Sequence, residues 1–337
     1  QFSMRLNFLS KIIMLINLIL LTLQLFLMDV FWEFYHYPIL NLMVPVIALT
    51  NVLFFVFWLI KFKWPLLLFV FSIFIGFREW GKLYKFPNNA IPISNGLKVM
   101  SFNVRLFNSF KWIDSKSVPE SIESFISNEN PDLVCLQEFS MEFSPKFKNY
   151  PHQYTASSKK NGQNGLCILS KYPLVNRGQL DFSDSNNSGL FADFFYKKDS
   201  IRVYNVHLES LSINIKDTLF TQEHSQKFIQ RIKSVVQKQE LQVDRFEKVE
   251  QKNNNPTIIC TDLNNNPFSK VYKRLKDDRL DAFMISGEGL GATYKLAYFP
   301  FRIDFIFTDK KFKVINFKVH DLKLSDHKPI SALLEWK

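Results

Sequence analysis

The chain has 337 residues, 22% of them charged, and a formal net charge of +11 at pH 7, which leaves room for two domains or for one domain with an appendage. Its three cysteines, Cys135, Cys167 and Cys260, stand in apolar runs without metal-ligand spacing. Odd in number, they read as small core residues and say little about the redox compartment.

Charge is unevenly spread. Before residue 81 the only charged residues are Arg5, Lys11, Asp29, Glu33, Lys61, Lys63, Arg78 and Glu79, whereas beyond Leu97 charges are scattered throughout. Met4 is a candidate start, with Gln1, Ser3 and the residue between them left from a longer chain or a fusion. Two uninterrupted apolar runs, 12–28 and 40–60, have about the length that crosses a bilayer. The first follows Arg5 and Lys11 like a signal peptide. It ends in "DVFW", without a small-residue cleavage pattern, and so reads as an anchor. A third, shorter run, 64–77, is flanked by Trp64 and Trp80 as interfacial anchors and is expected to cross as well.

Basic residues favour the cytoplasmic side. Arg5 and Lys11 inside, Asp29 and Glu33 outside, and Lys61 and Lys63 inside give a consistent alternation, although Arg78, Lys82 and Lys85 run against it. The expected organisation is an all-α membrane domain over 1–80 with about three transmembrane helices, a linker over 81–96, and a soluble domain over 97–337. The alternation places that domain outside the cytoplasm, on the periplasmic side in a bacterium. The linker, "YKFPNNAIPISNG", reaches at most about 45 Å, which keeps the domain close to the lipid bilayer. The positive excess suits an anionic substrate or membrane surface, beside the plainer reading of a solvated basic exterior.

Past the linker, short β-rich runs alternate with turn signals. Strands are predicted over 97–103, 133–138, 165–170, 190–196, 201–208, 257–262, 302–308, 314–319 and 330–335. Many strands with few helices between them fit two packed sheets better than a βα-repeat barrel. Residues 120–128 read as a helix, and 221–251 as one long helix or two, with an apolar stripe laid on a sheet.

Polar residues recur where these runs end: Asn103 in "MSFNVR", Glu138 in "LVCLQE", Asn205 and His207 in "NVHLES", Asp262 and Asn264 in "CTDLNNNPFS", Asp304 in "RIDFIF", and Asp326 and His327 in "SDHKPI". A strand end holds a side chain rigidly at the rim of a sheet, which catalysis needs. Taken singly, each has an ordinary structural reading as a turn residue, a strand-end charge, an Asx-turn or a hydrogen-bonded histidine. Six in this order do not.

The ordered set resembles the endonuclease/exonuclease/phosphatase superfamily over roughly 97–336. That resemblance implies a four-layer α/β sandwich, two mostly antiparallel sheets face to face with helices outside, preceded here by the transmembrane segment. It implies that Asn103 and Glu138 hold one Mg²⁺ (Mn²⁺ as substitute), with Asp326 close enough to affect the metal. It further implies that His207 contacts the scissile phosphate, that Asp262 and Asn264 position and activate the attacking water, and that Asp304 orients His327. The residue types agree with the chemistry. Phosphoester hydrolysis needs an in-line water, a base for its proton, and positive charge or donors on the equatorial oxygens. Mg²⁺ prefers oxygen ligands. Asn205 and Arg105 are candidate substrate contacts, and strand alternation makes Asp193 a candidate partner for His207.

Two positions depart from the family pattern, Thr261 in place of a glycine and Leu263 in place of an aromatic residue. The implied function is a membrane-anchored, metal-dependent phosphoesterase, directed at nucleic acid or at a phospholipid or inositol phosphate. Aromatics in "AYFPF" (297–301) would serve a lipid-directed enzyme. A catalytically inactive binding module on the same fold is the alternative from another class.

Overall fold

The computed structural model describes residues 5–30, 38–87, 95–158, 161–182, 185–211, 222–296 and 299–337. Met4, Glu33, residues 88–94 of the expected linker, Thr221, and Ala297 and Tyr298 of "AYFPF" lie outside the described residues. The chain divides into two compact units, one made of Gln1–Tyr84 with Asn266–Lys270, the other of Lys85–Asn265 with Val271–Lys337.

The first unit is helical: α1 (Phe8–Leu27), α2 (Pro38–Ile60), α3 (Leu66–Ile75) and the single turn α4 (Phe77–Trp80). Asn7 starts α1 by accepting a hydrogen bond from the Ser10 N–H at 2.8 Å, an N-cap that satisfies one otherwise unpaired donor. Polarity is arranged inside out. Asn17, Gln24, Asn51 and Trp58 are buried, whereas Phe8, Leu15, Ile19 and Leu53 are exposed. The buried groups join α1 to α2: Asn17 Nδ2 donates to Asn51 Oδ1 at 3.2 Å, Asn51 Nδ2 to Gln24 Oε1 at 2.7 Å, and Trp58 Nε1 to Asn17 Oδ1 at 3.3 Å. Helices α1 and α2 are long and apolar enough to cross a membrane; α3 is shorter. Lys63 Nζ donates to the Arg5 carbonyl at one end, while Trp80 and Leu83 pack with Leu27 and Met28 at the other. The third apolar segment therefore runs the length of α1. Asn266–Lys270 joins this unit through Phe268, buried among Leu27, Met28 and Val44.

In chain order the second unit contains β1 (Leu97–Asn103), α5 (Val118–Glu129), β2 (Leu133–Ser140), β3 (His152–Ser158), β4 (Asn161–Ser170), β5 (Leu174–Asp181), β6 (Ser188–Tyr196) and β7 (Asp199–His207). Next come α6 (Gln222–Glu250), β8 (Thr257–Asp262), α7 (Lys270–Lys276), β9 (Leu280–Asp281), α8 (Ala282–Ser286), β10 (Tyr294–Leu296), β11 (Phe299–Phe301), β12 (Asp304–Thr308), β13 (Phe312–Val319) and β14 (Ile330–Trp336). One six-stranded sheet has the order β13-β14-β1-β2-β4-β3, the other β5-β6-β7-β8-β12-β9, and β10 and β11 form a separate hairpin. Among the described residues only β1·β2 and β7·β8 pair in parallel.

Side chains alternate across each strand, so each sheet has two apolar faces. Leu97 and Val99 of β1, Leu133 and Cys135 of β2, Ile201 and Val203 of β7, Ile258 and Cys260 of β8 and Ile306 of β12 form the core between the sheets. The opposite parity, Met100, Phe102, Val134 and Leu136, packs on Ile122 and Ile126 of α5. Tyr204, Val206, Ile259, Phe305 and Phe307 pack with Val243 and Phe246 of α6. The result is four layers, helix, sheet, sheet, helix, in which all three cysteines are buried and unbridged. Within 221–251, read as one helix or two, Gln222–Glu250 form a single helix.

Candidate active site

The same alternation that fills the core sets the site. Counting along the inward faces from Ile201, Ile258 and Ile306 brings His207, Asp262 and Asp304 to the inner face at the rim. Register then aligns them: His207 pairs opposite Asp262 across the parallel β7·β8 edge, and Asp262 opposite Asp304 across β8·β12. Asn103 closes β1 on the facing sheet, and its side chain meets this row, Nδ2 donating to Asp262 Oδ2 at 3.0 Å.

Asp262 is fully buried and is the hub. Its Oδ1 accepts from the Asn264 N–H at 2.9 Å, and its Oδ2 lies 3.5 Å from His207 Nε2 and 3.8 Å from His327 Nε2. His327 directs Nδ1 to Asp304, 3.0 Å from Oδ2 and 3.2 Å from Oδ1. Burial works against the imidazolium, but Asp304 and Asp262, with Asp326 behind them, push His327 up to about 10. Burial likewise pushes the Asp304 carboxyl up. Both shifts mean that the pair binds a proton tightly, and the imidazole faced by three carboxylates is where it resides.

Glu138 enters from β2 through a bulge between Leu136 and Phe139, with a φ of 48°. A non-glycine residue in the left-handed region costs about 1–2 kcal/mol, and strain of this kind persists only where the surroundings over-determine it. Here the bulge interrupts the alternation and turns the carboxylate towards the Asn103 amide, 3.1 Å away. Asn103 thus presents Nδ2 to two carboxylates, while its Oδ1 accepts from the Arg105 N–H at 3.0 Å. In this arrangement the Asn103 amide gathers the two carboxylates.

Arg105 begins a left-handed turn, with φ between 44° and 63° over Arg105, Leu106, Phe107 and Asn108. The turn is held by Phe107, buried against Phe139, and by the Asn108 amide, which bonds Ile113 N at 2.9 Å and Ile113 O at 2.8 Å. The Arg105 guanidinium lies 4.2 Å from the Trp112 ring, with Nε 3.3 Å from Asp326 Oδ2. Asp326 is thus ion-paired with Arg105. Asn264, with φ 49°, spends its Nδ2 on the Leu208 carbonyl at 3.0 Å, leaving Oδ1 for other partners.

Two sequence-based assignments fail on geometry. Asn205 is fully buried, accepting from Gln137 Nε2 at 2.7 Å and donating to the Leu136 and Cys167 carbonyls at 2.9 Å each. It faces inward like His207 but lies two residues deeper, so it bridges the sheets and touches no substrate. Asp193 pairs in register with Arg202, bonding it at 2.6 and 2.9 Å. Arg202 has the opposite parity to His207, so Asp193 lies on the other face of the sheet.

Thr293 and Tyr294 escape a reading of the sequence alone. Thr293 Oγ1 accepts from the Ile303 and Asp304 N–H groups at 3.2 and 3.3 Å, and the Tyr294 ring lies 5.0 Å from that of His327. The available signal was "GATY" itself: Gly291, with φ 59°, makes a turn in which a side chain would strike Phe283. That turn delivers Thr293 and Tyr294 to the site.

Carboxylates of Glu138, Asp262, Asp304 and Asp326 converge here. Among the described residues Glu138 has a single hydrogen bond, and Asp262, Asp304 and His327 offer ligand atoms within 4.8 Å of one another. An excess of carboxylate oxygen is the chemistry that a hard divalent cation needs.

Residues 100–327 match the model of the Endonuclease/Exonuclease/phosphatase family. The chain belongs to this family and is a hydrolase acting on phosphoric ester bonds. No curated protein matches. Among solved structures, an endonuclease/exonuclease/phosphatase from Bacteroides vulgatus matches at 16% identity and a TM-score of 0.53, over 72% of this chain and 100% of that one. A mannosyl-6-phosphatase from Bacteroides thetaiotaomicron matches at 16% identity and 0.52, over 71% and 100%. D. rerio TDP2, complexed with single strand DNA product, matches at 16% and 0.54, over 72% and 100%. At these identities the likeness is one of fold.

Proposed function

We propose that the protein is a membrane-anchored, Mg²⁺-dependent phosphoesterase, with Mn²⁺ as a substitute, that cleaves phosphodiester or phosphomonoester bonds by in-line attack of water. The observation that carries this reading is the row His207, Asp262, His327, Asp304, one buried carboxylate between two imidazoles with the second imidazole held by its own carboxylate. Asp262 is the base for the water proton, and Asn264 Oδ1 orients that water. His327, kept protonated by Asp304, donates to a phosphoryl oxygen, and His207 faces the same phosphate. Asn103 and Glu138 are the pair we assign to the metal; bound Mg²⁺ would supply Lewis-acid polarisation of the phosphoryl oxygen.

The neighbouring structures include enzymes named for a sugar phosphate and for a DNA product, and this site suits either kind of ester. Exposed Phe110 and Trp112, 5.1 Å apart beside Arg105, favour an ester that carries a ring. Phe299 and Phe301 are half-buried against each other at 5.1 Å, which weakens the case for a lipid-dipping hairpin. Anchoring rests on α1 and α2, whose apolar exteriors and polar seam suit a bilayer.

The test is hydrolysis by purified protein with and without chelator. Activity should vanish with chelator, return with Mg²⁺ or Mn²⁺, and fall roughly 10²-fold or more in Glu138→Ala with the fold intact. Full activity in that variant would sink the metal assignment.

A further inference from the structure

Tyr294 is tied to the catalytic machinery by two independent contacts. Its backbone forms an antiparallel bridge to His327, and its ring lies 5.0 Å from the His327 ring, tilted by 45°. The neighbouring backbone is equally fixed: the Lys328 N–H donates to the Thr293 carbonyl at 2.7 Å, and Thr293 is itself buried under the start of β12. The ring is therefore placed by the same two segments that carry Asp304 and His327.

The charged groups that act on the Tyr294 phenol are Asp326, Arg105, Asp262 and Glu138, which come from four different segments and share only the site as a meeting place. Burial raises the Tyr294 hydroxyl above its ordinary value, so it remains a proton donor. Among the described residues this hydroxyl has no hydrogen-bond partner, although it is half-buried, where a tyrosine O–H ordinarily finds one.

Resting on the phosphoesterase reading above, we propose that Tyr294 is a further catalytic residue: its hydroxyl donates a hydrogen bond to a phosphoryl oxygen of the substrate, and its ring braces the imidazole of His327. No covalent step is involved. The hydroxyl supplies a fixed donor where negative charge develops, and it keeps its proton throughout.

Tyr294→Phe keeps the ring and removes only the donor, and Tyr294→Leu removes both. Bis(p-nitrophenyl) phosphate and p-nitrophenyl phosphate serve as generic diester and monoester, assayed with Mg²⁺, with His327→Ala as control and melting temperatures to confirm folding. Tyr294→Phe should lower kcat roughly 10- to 10²-fold with KM within about twofold, because the bond strengthens as charge develops. Tyr294→Leu should lose more. Calorimetric binding of inorganic phosphate to the full chain gives a second readout, with weaker binding expected in Tyr294→Phe. An inactive His327→Ala beside a Tyr294→Phe of wild-type kcat and wild-type phosphate affinity overturns the tyrosine assignment alone. Equal activity of wild type and His327→Ala overturns the phosphoesterase reading, and the tyrosine role with it.

Discussion

Asp304 does more than aim His327. Its carboxylate, 3.0 Å from Nδ1, is the largest favourable influence on the imidazolium, strong enough with Asp262 to offset full burial. A reaction that needs His327 charged should therefore persist towards pH 10 and fail above it. Asp304→Asn keeps the shape and removes the charge. Its alkaline limb in kcat/KM should move down by roughly one pH unit or more, towards the ordinary histidine range near 6.5. Activity should fall about as far as in His327→Ala, with the double mutant little worse, since residues acting as a unit are not additive. An unmoved alkaline limb together with additive losses would show that the two act separately. At this scale most members of the cluster could be read from the sequence, because polar residues close apolar strands six times in one order. What could not be read was depth and parity. Asn205 and His207 share a face but differ by two residues, about 6.6 Å along a strand. A one-residue difference in hairpin register sends Asp193 to the opposite side.

Strand β12 must hold Asp304 against both β8 and His327, and a residue shortly before it explains how. Arg302 is buried, with Nη1 2.7 Å from Asp281 Oδ2, an oxygen that also accepts from the Tyr272 hydroxyl at 2.7 Å. Among the described residues its Nε and Nη2 have no hydrogen-bond acceptor, and the guanidinium instead lies 4.4 Å from Phe283 and 4.8 Å from Phe305, so aromatic faces take the place of acceptors. Removing one partner of such a pair strands a buried charge. Arg302→Ala should destabilise the catalytic unit by about 3–5 kcal/mol in urea unfolding of the detergent-solubilised chain. Adding Asp281→Ala should cost much less than a second full increment. A loss below about 1 kcal/mol in the single variant would mean that the pair does not secure the strand. Of the nine strands foreseen from the sequence, all but β13 are interior, and two buried faces write continuous apolar runs. Those missed include β3 and β5, each at the edge of its sheet. Most of β5, "LVNRGQLD", is exposed, so only its pairing makes it a strand.

At the scale of the whole molecule, the contacts among the apolar helices motivate a prediction of which way the chain runs in a bilayer. Lys63 reaches the Arg5 carbonyl, so the α2–α3 turn and the start of α1 share one end, with Lys11 and Lys61 near it in sequence. At the opposite end, a side chain at Gly76 would meet Leu25, and Trp80 and Leu83 join Leu27 and Met28. From Leu66 to Trp80 the chain therefore travels from the basic end to the other. As helix this stretch covers about 22 Å against a hydrocarbon core of about 30 Å. Local thinning and the flanking tryptophans at 64 and 80 absorb such a shortfall at fractions of a kcal/mol per Å. Clustered Lys and Arg favour the cytoplasmic side, so the basic end is expected to face inward and the chain beyond Leu83 to emerge outside. Arg78, Lys82 and Lys85 oppose this; Lys82, however, is paired with Glu79 and lies 5.5 Å from the Phe268 ring, so it does not act as a bare positive charge. A reporter active only in the cytoplasm, fused after Lys337, should be silent, and one active only after export should give full signal. Strong cytoplasmic signal would mean that the third segment does not cross, and it would move the catalytic unit to the same side as Arg5.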